Sequence, residues 1–376
     1  MKKLGVGIIG CGNVSEHYMR YGPMFNGFEV IACADLNKDA AIAKAKEHGL
    51  RADTIDEILA ADDIDIIINL TIPVAHADVS ATILNAGKHV YSEKPFVLSV
   101  AEGDTLKQLA EAKNLRIGSA PDTFLGASHQ HARHLIDSGK IGNVTSGTAI
   151  VQSHGMEHWH PNPDFFFQPG AGPVLDLGPY YISNLVQLIG PVKAVTAVTT
   201  SPSKTRTISC GPRNGEQIPI GTPTTIHALL EFENGAVINM ICSWDVWSQG
   251  HSNMELYGEL GTLYMPDPNF FAGELKLTSG SDFVDLPEWE HPYSVPNFHD
   301  NDGRHLANYR CAGLSDMAMS IQQGKPHRCS LEFAHHVVDV MTSILNSGES
   351  GQKVKMTTTC ERPEPLDAAA AQALLA

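Results

Sequence analysis

Five short apolar runs, four of them each followed by a helical stretch, fill the first third of the chain and leave few folds open to it. They are LGVGIIG (Leu4–Gly10), FEVIACAD (Phe28–Asp35), IDIIINLT (Ile64–Thr71), KHVYSEKP (Lys88–Pro95) and LRIGSAP (Leu115–Pro121). Between them, CGNVSEHYMRYG, KDAAIAKAKEHG and AHADVSATILNAG have helical texture. A strand that is apolar throughout, rather than at every second residue, must be buried on both faces. Alternation with helices then implies a parallel sheet covered on each side, the doubly wound α/β class.

Beyond residue 125 the texture changes. NVTSGTAIVQS, VKAVTAVTT, TTIHALLEF, AVINMICSW, NMELYGE and GTLYMP read as strands, with Glu233-Asn234-Gly235 and Glu259-Leu260-Gly261 as hairpin turns. Short turns between successive strands predict a mostly antiparallel sheet in an α+β domain. With 376 residues the chain is long enough for two domains, expected at 1–125 and 126–376. A formal net charge of -16 argues against a nucleic-acid partner, because phosphate binding needs clustered Lys and Arg. The seven cysteines form no CxxC and suit reduced thiols. MKKLGVGIIGCGNV is too glycine-broken for a signal-peptide core, no apolar run is long enough for a bilayer, and a cytoplasmic location is expected.

Gly10-Cys11-Gly12-Asn13-Val14-Ser15 joins the first strand to its helix, a dinucleotide fingerprint with Ser15 in place of the third glycine. The first glycine allows the tight turn and the second lets a pyrophosphate approach the backbone, where the helix start offers N–H groups. Asp35 ends the next strand at the expected distance, followed by Leu36. A carboxylate there accepts from a ribose 2′-hydroxyl and repels a 2′-phosphate, so NAD is expected over NADP.

Glu93-Lys94-Pro95 leaves the fourth strand at its carboxyl end, where open parallel sheets collect ligands. Pro95 holds the backbone before it extended and so fixes where Lys94 points. With GIIGCGN, ACADLN, LTIPVAHADV, AGKHVYSEKP, GKIGNV, GPVLDLGPYY, YGELGTL and GLSDM, the chain resembles the family of glucose-fructose oxidoreductase, inositol dehydrogenase and the rhizopine-catabolism oxidoreductases (Gfo/Idh/MocA). The resemblance implies that Lys94 is a catalytic residue beside the nicotinamide and that Thr71, Pro73, His76 and Glu93 line the cofactor. It also implies that the C-terminal sheet is large and open, and a homo-oligomer, a dimer or tetramer, formed through that sheet.

In PGAGPVLDLGPYYISNLVQLIG, Ile182, Leu185, Val186 and Ile189 share a helix face, and Asp176, Tyr180 and Asn184 form a polar stripe expected to look away from the core. Pro179 is expected in the first turn, which places Asp176 and Tyr180 at the helix start. By pattern alone Asp176 reads equally as a cap and Tyr180 as a surface residue. The family resemblance implies a D-x-G-x-H motif here, whose Asp and His contact the reacting hydroxyl; this chain has Tyr180 at the histidine position. A phenol is a poor base at neutral pH, which shifts proton transfer onto Lys94.

The activity implied is hydride transfer between a nicotinamide and a hydroxyl-bearing carbon of a sugar, cyclitol or sugar derivative. Lys94 would act as general acid/base, Asp176 would orient the hydroxyl and Tyr180 would hold its oxygen. Other substrate ligands are expected from His158, Trp159 and His160 in SHGMEHWHPNP, from Asn184, and from His305 and Arg310. The polar set between His299 and Arg310, Asp302 included, reads equally as a solvated segment. Pro161 and Pro163 make the histidine stretch an irregular loop without the spacing of a metal site, and no metal is expected. One of these histidines standing in for the absent one is a hypothesis. An NAD-dependent glycosidase working by transient oxidation, and an NAD-binding sensor without turnover, are the competing readings.

Overall fold

The computed structural model describes residues 2–300 and 303–376, which divide into two compact units. The first is Met1–Gln130, Glu290–Val338 and Pro363–Ala376; the second is His131–Trp289 and Asp339–Arg362. This partition differs from the single boundary expected after residue 125, since the chain returns to the first unit twice. Packing explains the returns. Helix α8 (Ala312–Gln323) packs against the first unit's sheet, and α10 (Ala368–Leu374) packs on α8. Asn26 clasps the carboxyl end, its Nδ2 donating to the Leu375 carbonyl at 2.5 Å. A sequence pattern shows that such helices have an apolar face but does not name the face that covers it.

The first unit is built on β1 (Leu4–Ile9), β2 (Phe28–Ala34), β3 (Arg51–Ala52), β4 (Ile66–Asn69), β5 (His89–Ser92) and β6 (Ile117–Ser119). All are parallel, in the order β3-β2-β1-β4-β5-β6. Five of the strands are those expected. The two-residue β3 was not, nor was α3 (Ile55–Ala60), which a Thr54–Glu57 capping box starts. Val6, Ile8, Ile66, Ile67 and Ile68 are fully buried, as the unbroken apolar runs require. Helices α1 (Ser15–Tyr21), α2 (Lys38–His48), α4 (His76–Asn85) and α5 (Val100–Lys113) connect the strands. The strand order reverses about β1 and β4, the switch point at which such sheets bind ligands.

The second unit carries a nine-stranded sheet. Its strands are β7 (Val144–Gln152), β8 (Val192–Thr200), β11 (Thr225–Phe232), β12 (Val237–Ser243), β13 (Met254–Gly258), β14 (Thr262–Met265), β15 (Lys276–Ser279), β16 (Asp282–Val284) and β19 (Val354–Lys355). A separate ribbon pairs β9 (Thr205–Thr207) with β10 (Gln217–Pro219). The sheet is antiparallel except where β12 runs parallel to β7. The 233–235 hairpin forms as read: Gly235 is left-handed at φ +92° and the Asn234 side chain accepts from the Ala236 N–H at 3.0 Å. Helix α7 (Pro173–Ile189) covers one face of the sheet. Val198, Leu229 and Val237 stay exposed on the other, beside their cross-strand partners His227, Thr196 and Glu231. Helices α6 (Ala127–Asp137) and α9 (Leu331–Ser350) complete the helical set, and in the first unit β17 (Phe298–His299) pairs with β18 (His305–Leu306). No helix among the described residues is long and apolar enough to cross a membrane.

Candidate functional site

Where β1 ends, Gly10 turns at φ +106° and its N–H donates to the Ala34 carbonyl at 2.9 Å. A Cβ at Gly10 would lie 2.6 Å from the Leu70 carbonyl oxygen, so only glycine lets the loop cross β4 this closely. A Cβ at Gly12, by contrast, would meet nothing within 4 Å, leaving the backbone there open to a ligand. Buried Ser15 closes the turn, its hydroxyl donating to the Gly12 carbonyl at 2.7 Å. Cys11 is buried beneath the loop, while Asn13 and Val14 are exposed.

Asp35, expected to face a ribose, holds the backbone on both sides of it. Its Oδ2 accepts the Cys11 N–H at 2.7 Å and its Oδ1 accepts the Asn37 N–H at 2.8 Å. One carboxylate thus ties the glycine loop to the turn that starts α2. Around this edge of the sheet Val14, Leu36, Ile72 and Val74 are 39%, 92%, 66% and 65% exposed. Exposed large apolar side chains gathered at strand ends are what a flat heterocycle would cover, and this edge fits a dinucleotide. Ile72 and Val74 were not anticipated, although they alternate with Thr71 and Pro73 in the sequence.

At the end of β4, fully buried Asn69 organises the next loop. Its Nδ2 donates to the His76 carbonyl and to Ser80 Oγ, both at 3.0 Å. Its Oδ1 accepts from the Thr71 N–H at 3.2 Å and the Thr71 hydroxyl at 2.6 Å. His76 then spans two strand ends, with Nδ1 2.7 Å from the Pro95 carbonyl and Nε2 3.0 Å from that of Thr71. Burial lowers the His76 pKa despite the pull of both carbonyls, so a neutral ring donates to only one of them. Asn69 escaped the sequence reading; its signal was a lone amide closing a run of isoleucines.

The Lys94-Pro95 peptide bond is cis, and Lys94 is half-buried. Glu93 is buried with a fully engaged carboxylate. Oε1 accepts from Tyr18 at 2.9 Å and from Arg310 Nη1 at 2.7 Å, and Oε2 accepts the Lys94 N–H at 2.9 Å. Burial alone would raise the Glu93 pKa, but the Arg310 charge, the Lys94 N–H and charge, and the Tyr18 hydroxyl together hold it below the ordinary value. Arg310, expected among the substrate ligands, therefore has its guanidinium in this corner. His305 stacks on His299 in the β17–β18 hairpin, centroids 4.3 Å apart; Asp302 lies outside the described residues.

In the second unit, α7 starts six residues before Pro179, with Pro173 in the first turn. Pro179 is an interior residue of the helix, which corrects the expected start: the Gly172-Pro173 pair supplies the breaker and the N1 proline. The expected outward polar stripe is also corrected. Tyr180 is 5% exposed and Asn184 fully buried, with only Asp176 half-buried, because α7 is enclosed nearly all round. The Asn184 amide is used internally, Oδ1 accepting from Gln187 at 3.0 Å and Nδ2 facing Met254 Sδ at 3.5 Å.

The 153–163 stretch is a loop, with His158 and Trp159 exposed and His160 half-buried. His160 Nδ1 accepts the Asn162 N–H at 3.1 Å, and its ring meets Trp159, Phe165 and Phe166 edge-on. His154 stacks on Trp247. The anchor of the loop is the one residue the histidines drew attention from, buried Glu157. It pairs with Arg206 at 3.4 Å, and Arg206 also pairs with Asp245 at 3.2 Å and donates to the Trp244 carbonyl.

Residues 4–120 match the model of an oxidoreductase family with an NAD-binding Rossmann fold, and residues 129–264 match that of the GFO/IDH/MocA C-terminal domain. An uncharacterized oxidoreductase of Schizosaccharomyces pombe is 30% identical over 187 residues, which is 48% of this chain and 50% of that one. The chain thus spans about half the length of such curated relatives. A levoglucosan dehydrogenase of Pseudarthrobacter phenanthrenivorans is 25% identical over 327 residues, covering 79% of this chain and 81% of that one. The solved structure of a levoglucosan dehydrogenase in complex with NADH and levoglucosan superposes with a TM-score of 0.79 at 20% identity, covering 95% of this chain and 100% of that one, and shows the shared fold. Both domain models, matched in family order along one chain, establish that this protein belongs to the Gfo/Idh/MocA oxidoreductase family.

Proposed function

We propose that the protein is an NAD-dependent dehydrogenase acting on a hydroxyl-bearing carbon of a sugar, cyclitol or related polyol, with Lys94 as general acid/base. The observation that carries this reading is the pair of anchored strand ends in the first unit. Asp35 fastens the glycine loop, and Glu93 fixes the backbone of Lys94. The open face over Gly12 and the exposed Val14, Leu36, Ile72 and Val74 support a dinucleotide between these anchors. Asp35 has carboxylate lone pairs beyond its two backbone bonds, suited to ribose hydroxyls, which supports NAD over NADP.

Bound NAD⁺ supplies the hydride acceptor. The chain's part is to take the proton from the alcohol oxygen as the C–H bond breaks, and a neutral Lys94 amine does this within hydrogen-bond reach of that oxygen. Asp176 and Tyr180 are the proposed partners of the hydroxyl, and the loop of His158, Trp159 and His160 a proposed contributor to the pocket. The relatives that oxidise a carbohydrate support the substrate class. The exposed Val198, Leu229 and Val237 support a homo-oligomer formed through the uncovered sheet face.

The test is NADH formation by the full chain across a panel of aldoses, cyclitols, anhydrosugars and aryl glycosides, with NAD⁺ and NADP⁺ compared. Lys94→Ala should keep NADH affinity within about threefold and lose kcat by about 100-fold or more. Wild-type kcat in Lys94→Ala sinks the assignment, and release of an aglycone without net NADH favours the glycosidase reading.

A further inference from the structure

Arg310 is a half-buried charge for which the proposed chemistry has no use. It lies between β18 and α8, yet its Nη1 reaches Glu93 Oε1 at 2.7 Å, with the side chains 17% and 8% exposed. The segment carrying it is clamped. Cys311 adopts φ +92°, a conformation that side-chain-bearing residues rarely take. Asp122 Oδ2 accepts both the Cys311 and the Gly313 N–H at 3.1 Å, holding the turn in that conformation. The next turn presses closely inward, since a Cβ on Gly313 would sit 2.5 Å from the Tyr91 hydroxyl and 2.7 Å from Cys329 Sγ. The Arg310 N–H is also bonded, to Asn308 Oδ1 at 3.1 Å.

A turn held at this many points delivers the guanidinium to one place. Without Arg310 the buried Glu93 carboxylate would lose its ion-pair partner, and the oxygen that accepts the Lys94 N–H would be less firmly held. We infer that Arg310 is a positioning residue: by pairing with Glu93 it fixes the Lys94 backbone, and with it the direction in which the Lys94 amine is presented. The inference rests on the proposed role of Lys94 and gives Arg310 a duty other than binding substrate. Tyr18 shares the same Glu93 oxygen but carries no charge, so it orients the carboxylate, while Arg310 is the cation paired with it.

The test uses the full chain and reads the Lys94 amine directly. Acetic anhydride labels amines, and peptide mass spectrometry follows the Lys94 rate with and without saturating NADH. NADH should slow labelling of wild-type Lys94 about tenfold or more, as burial beneath a bound ligand would. Arg310→Gln should bind NADH within about threefold of wild type yet lose most of that protection. On any polyol the wild type oxidises, its kcat should fall about 100-fold with KM little changed, the signature of a misplaced reacting group. Arg310→Lys keeps the charge without the planar fork and should recover part of both. Glu93→Gln should reproduce the loss, and the double variant should be no worse than Glu93→Gln alone, because both act through one pair.

Wild-type protection and kcat in Arg310→Gln, or additive losses in the double variant, overturn the inference. Should Arg310→Gln fail to fold, Glu93→Gln with undiminished protection overturns it instead. Failure of NADH to protect Lys94 in the wild type is a separate result, which overturns the proposed cofactor site itself.

Discussion

Asp35→Asn changes almost no volume and isolates what the carboxylate does. In the wild type each carboxylate oxygen holds one backbone donor, Cys11 N–H at 2.7 Å and Asn37 N–H at 2.8 Å. An amide has one acceptor and one donor end, so in either orientation one of those N–H groups faces an NH₂. A hydrogen bond to a charged group is worth about 1.5–3 kcal/mol, and at this partly exposed position about 1.5–2 kcal/mol is the reasonable share. If that bond preorganises the glycine loop, NADH Kd should rise about 10- to 30-fold. NADPH loses the same loop bond but is relieved of a charge repulsion. Removing a full charge beside a 2′-phosphate relieves roughly 1–3 kcal/mol at an interfacial dielectric. The NADPH Kd should therefore stay within about threefold and the proposed preference for NADH narrow about tenfold. Fluorescence titration with both nucleotides, with circular dichroism to confirm the fold, reads the outcome. An Asp35→Asn protein that binds NADH within about twofold of wild type, with its preference intact, refutes both roles of the carboxylate.

Gly10→Ala must combine a strained φ of +106° with a Cβ 2.6 Å from the Leu70 carbonyl oxygen, and neither backbone can yield cheaply. We expect a loss of about 2–4 kcal/mol, seen as a lower urea midpoint, together with loss of NADH binding; wild-type values for both would contradict the loop geometry. For His89, burial first and the Arg116 charge second lower the pKa from 6.5 to about 4, and Nδ1 accepts the Arg116 N–H at 2.9 Å. The unfolded chain takes up this proton below pH 6.5 while the folded one resists until about 4. This contribution is therefore complete above pH 6.5 and lost as pH falls toward 4, by up to about 3 kcal/mol. Urea midpoints from pH 7 to 4.5 should trace the loss, and a His89 ring that titrates above pH 5.5 in NMR spectra would refute it.

The Rossmann half was legible because its signals are local. Unbroken apolar strands, a Gly10-Cys11-Gly12 turn and Asp35 at a strand end all lie within one short stretch of chain, and their physics is that of neighbours. The errors arose where the partner is distant. Pro179 looked like a helix start because interior proline is costly, yet Gly172 and Pro173 already supply the breaker and the N1 proline. Tyr180 and Asn184 looked like an outward stripe because periodicity separates two faces of a helix. It does not say that a sheet and its surroundings will bury both. Arg310 and Glu93 are 217 residues apart, and no spacing rule joins them.

The same distinction separates a motif from its mechanism. The strand-end carboxylates Asp35 and Glu93 were read as groups that face a cofactor. In the fold, both spend oxygen lone pairs on backbone N–H groups of the loops that make the site, Cys11 and Asn37 for one and Lys94 for the other. Facing a ligand is thus not the whole of what these two carboxylates do. Asp35 holds two backbone N–H groups at once, and Glu93 holds one beside the Tyr18 and Arg310 donors, which among polar side chains only a carboxylate does without a competing donor. Asp35 therefore owes its chemical type to the backbone as well as to the nucleotide it is proposed to face, and Glu93 owes its own to the Arg310 pair as well as to the Lys94 N–H.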